Sequence, residues 1–96
     1  MFDRLQFARV FENAGLTKDE LAVLYGVSRQ TLYGWYNGTS LPKQAVLARR
    51  ADIYSKALTV VISKGVLPFP ANLSKPDRDA RLLKMAQSMH DLTKPK

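Results

Sequence analysis

The stretch KDELAVLYGVSRQTLYGWYN, Lys18 to Asn37, decides how the rest of the chain is read. It spells two short helices separated by a tight turn. Thr17 is placed to cap the first, and Glu20, three residues on, completes a capping box. Leu16 and Leu21 flank that box as a hydrophobic staple. The same grammar repeats at once: Ser28 caps a second helix, with Val27 and Leu32 in the staple positions. Gly26 stands between them, where the chain must turn sharply and a left-handed residue is needed.

Helices this short and this close cannot form a deep antiparallel hairpin, so they cross steeply as a helix-turn-helix. Ala22 keeps the inner face of the first helix small enough for the second to approach. Leu21, Leu24, Val27, Leu32 and Trp35 supply the apolar contacts of the angle. The set Ala22, Gly26, Val27, Ser28, Leu32 and Trp35 resembles the helix-turn-helix of the lambda-repressor-like family, the Cro/C1 or XRE type. The continuation Trp35-Tyr36-Asn37-Gly38, then Leu41-Pro42, is similar to that family too, and the resemblance covers about residues 4 to 50. It departs at Lys18, where many members carry Gln, and at Tyr36, where Glu is frequent. The resemblance implies an all-α, lambda-repressor-like bundle in a bacterial, phage or plasmid setting.

Ninety-six residues suffice for one domain with a single helical core. No segment approaches the roughly 18 consecutive apolar residues of a membrane span. The opening MFDRLQF lacks the apolar run of a signal peptide, and no cysteine is present to form a disulfide, a thiolate metal site or a thiol nucleophile. These features fit a cytoplasmic protein. The net charge of +7 favours a polyanionic partner. That charge is uneven. Residues 1–40 balance Arg4, Arg9, Lys18 and Arg29 against Asp3, Glu12, Asp19 and Glu20, so the whole excess lies in residues 41–96. Either later residues add phosphate contacts, or the second half is basic for solubility.

In chain order, a first helix is expected from about Asp3 to Asn13, with Phe2, Leu5, Ala8, Val10 and Phe11 inward and Phe7 off the stripe, facing a neighbour or partner. The next two helices run from about Lys18 to Tyr25 and from Arg29 to Tyr36. A loop follows at Asn37-Gly38-Thr39-Ser40. The fourth helix should start near Pro42 or Lys43 and run without a break to Gly65. Its period is carried by Ala45, Val46, Leu47, Ala51, Tyr54, Ala57, Leu58, Val61 and Ile62. A single long helix here is a further departure from the family, whose members usually break and begin a fifth. The β-branched run Leu58 to Ser63 could be argued as a strand, but no partner strand is visible. Val66-Leu67-Pro68-Phe69-Pro70 must be extended. A last amphipathic helix begins after Ser74, with Leu82, Leu83, Ala86 and Met89 on its apolar face, and Thr93 to Lys96 reads as a loose tail. The expected organisation is a DNA-binding unit over residues 1–50 and a helical extension over 51–96, within the same compact domain.

A recognition helix presents its N-terminal turns to base edges in the major groove. Arg29, Gln30, Tyr33 and Gly34 occupy those positions. Arg can bond guanine O6 and N7 together, and Gln can bond adenine N6 and N7. Gly34 would let the backbone come close to DNA. Lys18, Ser28 and Thr31 suit phosphates, and the resemblance implies backbone contacts near Asn37, Thr39 and Lys43. His90, without metal-ligand company, reads as structural, and Asp77 with Asp79 is no acid–base pair. No nucleotide or hydrolase motif occurs, and neither an enzyme activity nor a cofactor is expected.

The function expected is sequence-specific binding of double-stranded DNA by a transcriptional repressor. The resemblance implies a homodimer on a pseudo-palindromic operator, since one helix-turn-helix contacts few base pairs. Leu58, Val61, Ile62, Val66, Leu67, Phe69, Leu82, Leu83 and Met89 are the candidates for its interface. In a monomer the last helix would fold back over the long one instead. The alternative function is a protein-interaction module, an antitoxin or adaptor, with the helix-turn-helix as scaffold.

Overall fold

The computed structural model describes residues 2–92, so the expected loose tail lies outside the described residues. Five helices follow in order: α1 (Arg4–Asn13), α2 (Lys18–Tyr25), α3 (Arg29–Asn37), α4 (Ala45–Ser63) and α5 (Lys75–Leu92). No strand occurs among the described residues, and Leu58 to Ser63 is helical.

The local signals at α2 and α3 act as their chemistry requires. Thr17 Oγ1 accepts from the Glu20 N–H at 3.1 Å, and Glu20 Oε1 accepts from the Thr17 N–H at 2.8 Å. Gly26 stops α2 in the left-handed region at φ 70°, with its N–H directed to the Ala22 and Val23 carbonyls. A β-carbon there would carry a penalty of about 1 kcal/mol or more. Ser28 caps α3 by accepting from the Thr31 N–H. α3 continues one residue beyond its expected end, to Asn37.

The first helix corrects its expected face. Phe7 is 1% exposed and belongs to the core, whereas Leu5 is 70% exposed. Phe7 sits among aromatic rings: Tyr25 at 5.3 Å and Trp35 at 5.9 Å, both edge-on, and Phe2 at 5.6 Å. Such pairs add about 0.5–1.5 kcal/mol each beyond the area they bury. The stripe is Phe7, Val10 and Ala14, with Phe11 at its edge. Trp35 is buried, as its position predicts. Tyr25 continues the cluster to Tyr54 of α4, and its hydroxyl meets the buried Ser55 Oγ at 2.8 Å. Burial raises the Tyr25 pKa, so the phenol stays neutral and hydrogen-bonded.

The fourth helix begins later than expected. Leu41, Pro42 and Lys43 are outside it, and the first bond leading into it runs from the Ala48 N–H to the Gln44 carbonyl at 2.9 Å. Ala51, Tyr54, Ser55 and Leu58 form its buried face, while Val46 is 79% exposed. The apolar ring around the helix is therefore only partly covered.

The fifth helix folds back on the same chain, packing against α2 and α4. Leu82 and Met89 are buried with Leu67 and Phe69 of the extended segment. The same packing takes up five of the side chains expected at a dimer interface: Leu58, Leu67, Phe69, Leu82 and Met89 are covered within their own subunit. Val61 and Ile62 are half-buried against the core, and only Val66 and Leu83 of that set are exposed. The fold-back is fixed by Arg78. Its Nε and Nη2 donate to the two Glu20 carboxylate oxygens, Nη2 also donates to the Gly15 carbonyl, and the guanidinium lies over the Phe69 ring.

Candidate nucleic-acid interface

The capped start of α3 and the start of α2 bring four expected side chains together. Lys18, Arg29, Gln30 and Tyr33 line one shallow depression of about 580 Å³. Lys18 Nζ stands 4.1 Å from the centre of the Tyr33 ring, a cation–π contact that sets the two side chains against each other. Arg29 Nη1 lies 3.5 Å from Asp19 Oδ1, and both side chains are exposed. Such an exposed pair contributes little to stability, about 0–1 kcal/mol. It does offset part of the guanidinium charge.

Ser28 and Thr31 divide their labour. The Ser28 hydroxyl accepts from the Thr31 N–H at 3.1 Å and donates to Thr31 Oγ1 at 2.8 Å. Its donor is consumed inside the protein, so Ser28 positions the helix. Thr31, whose oxygen accepts that bond, keeps its own hydroxyl proton for an outside acceptor.

Gly34 packs against the loop that follows α3. The place its β-carbon would take is occupied by the Ser40 hydroxyl, with Thr39 Oγ1 3.4 Å away. The open side of Gly34 thus faces the loop after α3, not an outside surface. The Gly34 carbonyl gathers that loop, accepting from the N–H groups of Gly38, Thr39 and Ser40 and from the Thr39 hydroxyl at 3.4 Å. Thr39 is therefore partly engaged within the loop. Asn37 at the end of α3 and Lys43 before α4 are exposed.

Three residues outside the expected set hold this surface in place. Arg4 Nη2 donates to the Tyr36 carbonyl at 3.1 Å, placing a cation at the C-terminal end of α3 where the helix dipole favours it. Tyr36 donates to Glu12 Oε2 at 2.6 Å and stacks on Phe11 at 4.1 Å. The carboxylate acceptor raises the Tyr36 pKa, so the phenol remains the donor. Tyr36, a departure from the family pattern, is the tie between α3 and α1. Asp19 could have been suspected from its place in the first turn of α2, but nothing local pairs it with Arg29. Arg4 and Glu12 carry no local signal at all.

No group of side chains that could hold a metal ion occurs among the described residues, and no described helix is long and apolar enough to cross a membrane. The helix-turn-helix family profile matches residues 7–60, just over half of the chain, reaching past the expected boundary at residue 50 and deep into α4. No match was found among curated proteins or among solved structures. With a capped α2, a left-handed Gly26, a capped α3 and that match in agreement, the chain belongs to the Cro/C1-type, or XRE, helix-turn-helix family of DNA-binding transcription regulators.

Proposed function

We propose that the protein is a repressor that reads a pseudo-palindromic operator, one copy on each half-site. The observation that carries this reading is the shared depression of Lys18, Arg29, Gln30 and Tyr33 on the exposed first turns of α3. Arg29 and Gln30 supply bidentate base contacts, Tyr33 packs on a neighbouring base or phosphate, and Lys18 and Thr31 meet the backbone. Asn37, Thr39 and Lys43 extend the phosphate contacts along the strand. One such surface spans few base pairs, so specificity calls for two copies with recognition helices about 34–36 Å apart. Val66 and Leu83, 52% and 63% exposed, are the members of the earlier interface set that remain free to join a contact between copies.

Selection of bound DNA from a random pool tests the reading, together with sedimentation of the protein on the recovered sequence. The expected result is a two-fold symmetric site carrying two copies. Recovery of no preferred sequence would overturn the specific-binding reading. An asymmetric site carrying one copy would overturn the dimeric one.

A further inference from the structure

A cavity of about 460 Å³ opens between α4 and α5, on a part of the chain that the DNA surface does not use. Its deep wall is carbon: Leu58, Phe69 and Met89 are buried there, with Met85 half-buried beside them. Its rim on α5 carries Arg81, Lys84 and Ser88, which share one helical face at spacings of three and four residues. No carboxylate lines it among the described residues. A volume within the roughly 300–1,000 Å³ of small-molecule sites, apolar walls and a few polar groups at one edge are the features of a ligand pocket.

We propose that this cavity binds a free, medium-chain fatty acid, with its chain against Leu58, Phe69 and Met89 and its carboxylate at Arg81, Lys84 and Ser88. The chemistry selects this occupant. A nucleic-acid phosphate gains nothing from apolar walls, and a neutral hydrocarbon gains nothing from two cations. An anion with a carbon tail satisfies both the wall and the rim. Methionine at two of the wall positions lets the cavity adapt to the tail. The site stands independently of the DNA-binding reading.

The test is a titration of the full chain, followed by the methyl resonances of Met85, Met89 and Leu58. The probes are decanoate, decanol and decyltrimethylammonium, each below its micelle concentration. The expected result is saturable binding of decanoate, shifts confined to those methyls, and affinity at least about tenfold above that of the cationic probe. The Arg81→Glu/Lys84→Glu variant, changed only at exposed positions, should weaken decanoate by about tenfold while leaving decanol unchanged. Equal binding of all three probes would reduce the site to unspecific apolar partition and overturn the proposal. So would absence of saturation, or shifts of the same methyls on raising protein concentration alone, which would mark a face between copies. Equal response to phosphatidylglycerol vesicles would assign the face to membranes and overturn it as well.

Discussion

Arg78 grips Glu20 with two nitrogens, Nε at 2.7 Å from Oε2 and Nη2 at 2.8 Å from Oε1, across 58 residues of sequence. The same Glu20 closes the capping box of α2. One carboxylate therefore serves the start of the helix-turn-helix and the docking of the last helix. Its pKa is pulled from the ordinary 4.5 to about 2, first by the hydrogen bonds from Arg78 and then, against the cost of burial, by those at Thr17. Because the folded value is depressed, the stabilisation is fully present above about 4.5 and is lost as pH falls toward about 2. Arg78→Met should cost about 1–2 kcal/mol at neutral pH, between the values for exposed pairs and for charged hydrogen bonds. Melts of the two proteins as a function of pH should draw closer through that acid window, with a remainder from the Gly15 bond and the Phe69 contact. A gap of unchanged size through the window would show that the variant loses packing rather than the ion pair.

Arg29→Ala and Gln30→Ala should each weaken the cognate site by about 1–3 kcal/mol and leave random DNA nearly unaffected. Gel-shift titrations on both DNAs measure this. Equal losses on the two would reassign these residues to phosphates or plain surface.

Gly34→Ala separates two roles for that glycine. The added methyl points at Ser40, whose short side chain can rotate away, and alanine favours a helix interior over glycine by about 1 kcal/mol. Specific DNA affinity should stay within about 0.5 kcal/mol of the parent, as for substitutions away from an interface. Loss of specific binding with an intact fold would mean that the backbone at Gly34 does approach the bases.

Lys43→Ala should flatten the dependence of log K on log salt by about one unit, through one fewer released counterion. Affinities measured over a salt series give the slope directly. An unchanged slope removes Lys43 from the contact surface.

The Tyr25–Ser55 hydrogen bond is the buried polar contact of the core, and its value lies in leaving neither hydroxyl alone. Tyr25→Phe or Ser55→Ala should each cost about 1–3 kcal/mol by stranding the partner. The double variant should cost less than the sum, and denaturant titrations of all four proteins close the cycle. Additive losses would show that each hydroxyl acts by itself.

The capped and glycine-punctuated parts of the fold were legible in sequence, because their causes lie within four residues. Thr17 with Glu20, Gly26 and Ser28 set α2 and α3 almost to the residue. The face of α1 was not legible. Two apolar phases compete there, Leu5 with Ala8 against Phe7 with Val10 and Ala14, and only the rings of Tyr25 and Trp35 decide between them. The role of Arg78 carries no local signal, since its partner Glu20 lies in another helix far along the chain. The five interface candidates that proved buried share that cause: periodicity marks a side chain as apolar but does not say which surface covers it. At the proposed DNA surface, residue type and helix position singled out Lys18, Arg29, Gln30 and Tyr33. The inward turn of Gly34 depends on Ser40, whose loop the local pattern does not place.

The aromatic cluster also limits how this protein can be re-engineered. A graft of residues 18–37 onto a foreign scaffold would arrive with Tyr25 lacking Ser55, Trp35 lacking Phe7 and Glu20 lacking Arg78. Altered DNA preference is better sought by replacing outward residues of α3 in place, while every inward one stays with the neighbours it grew up beside.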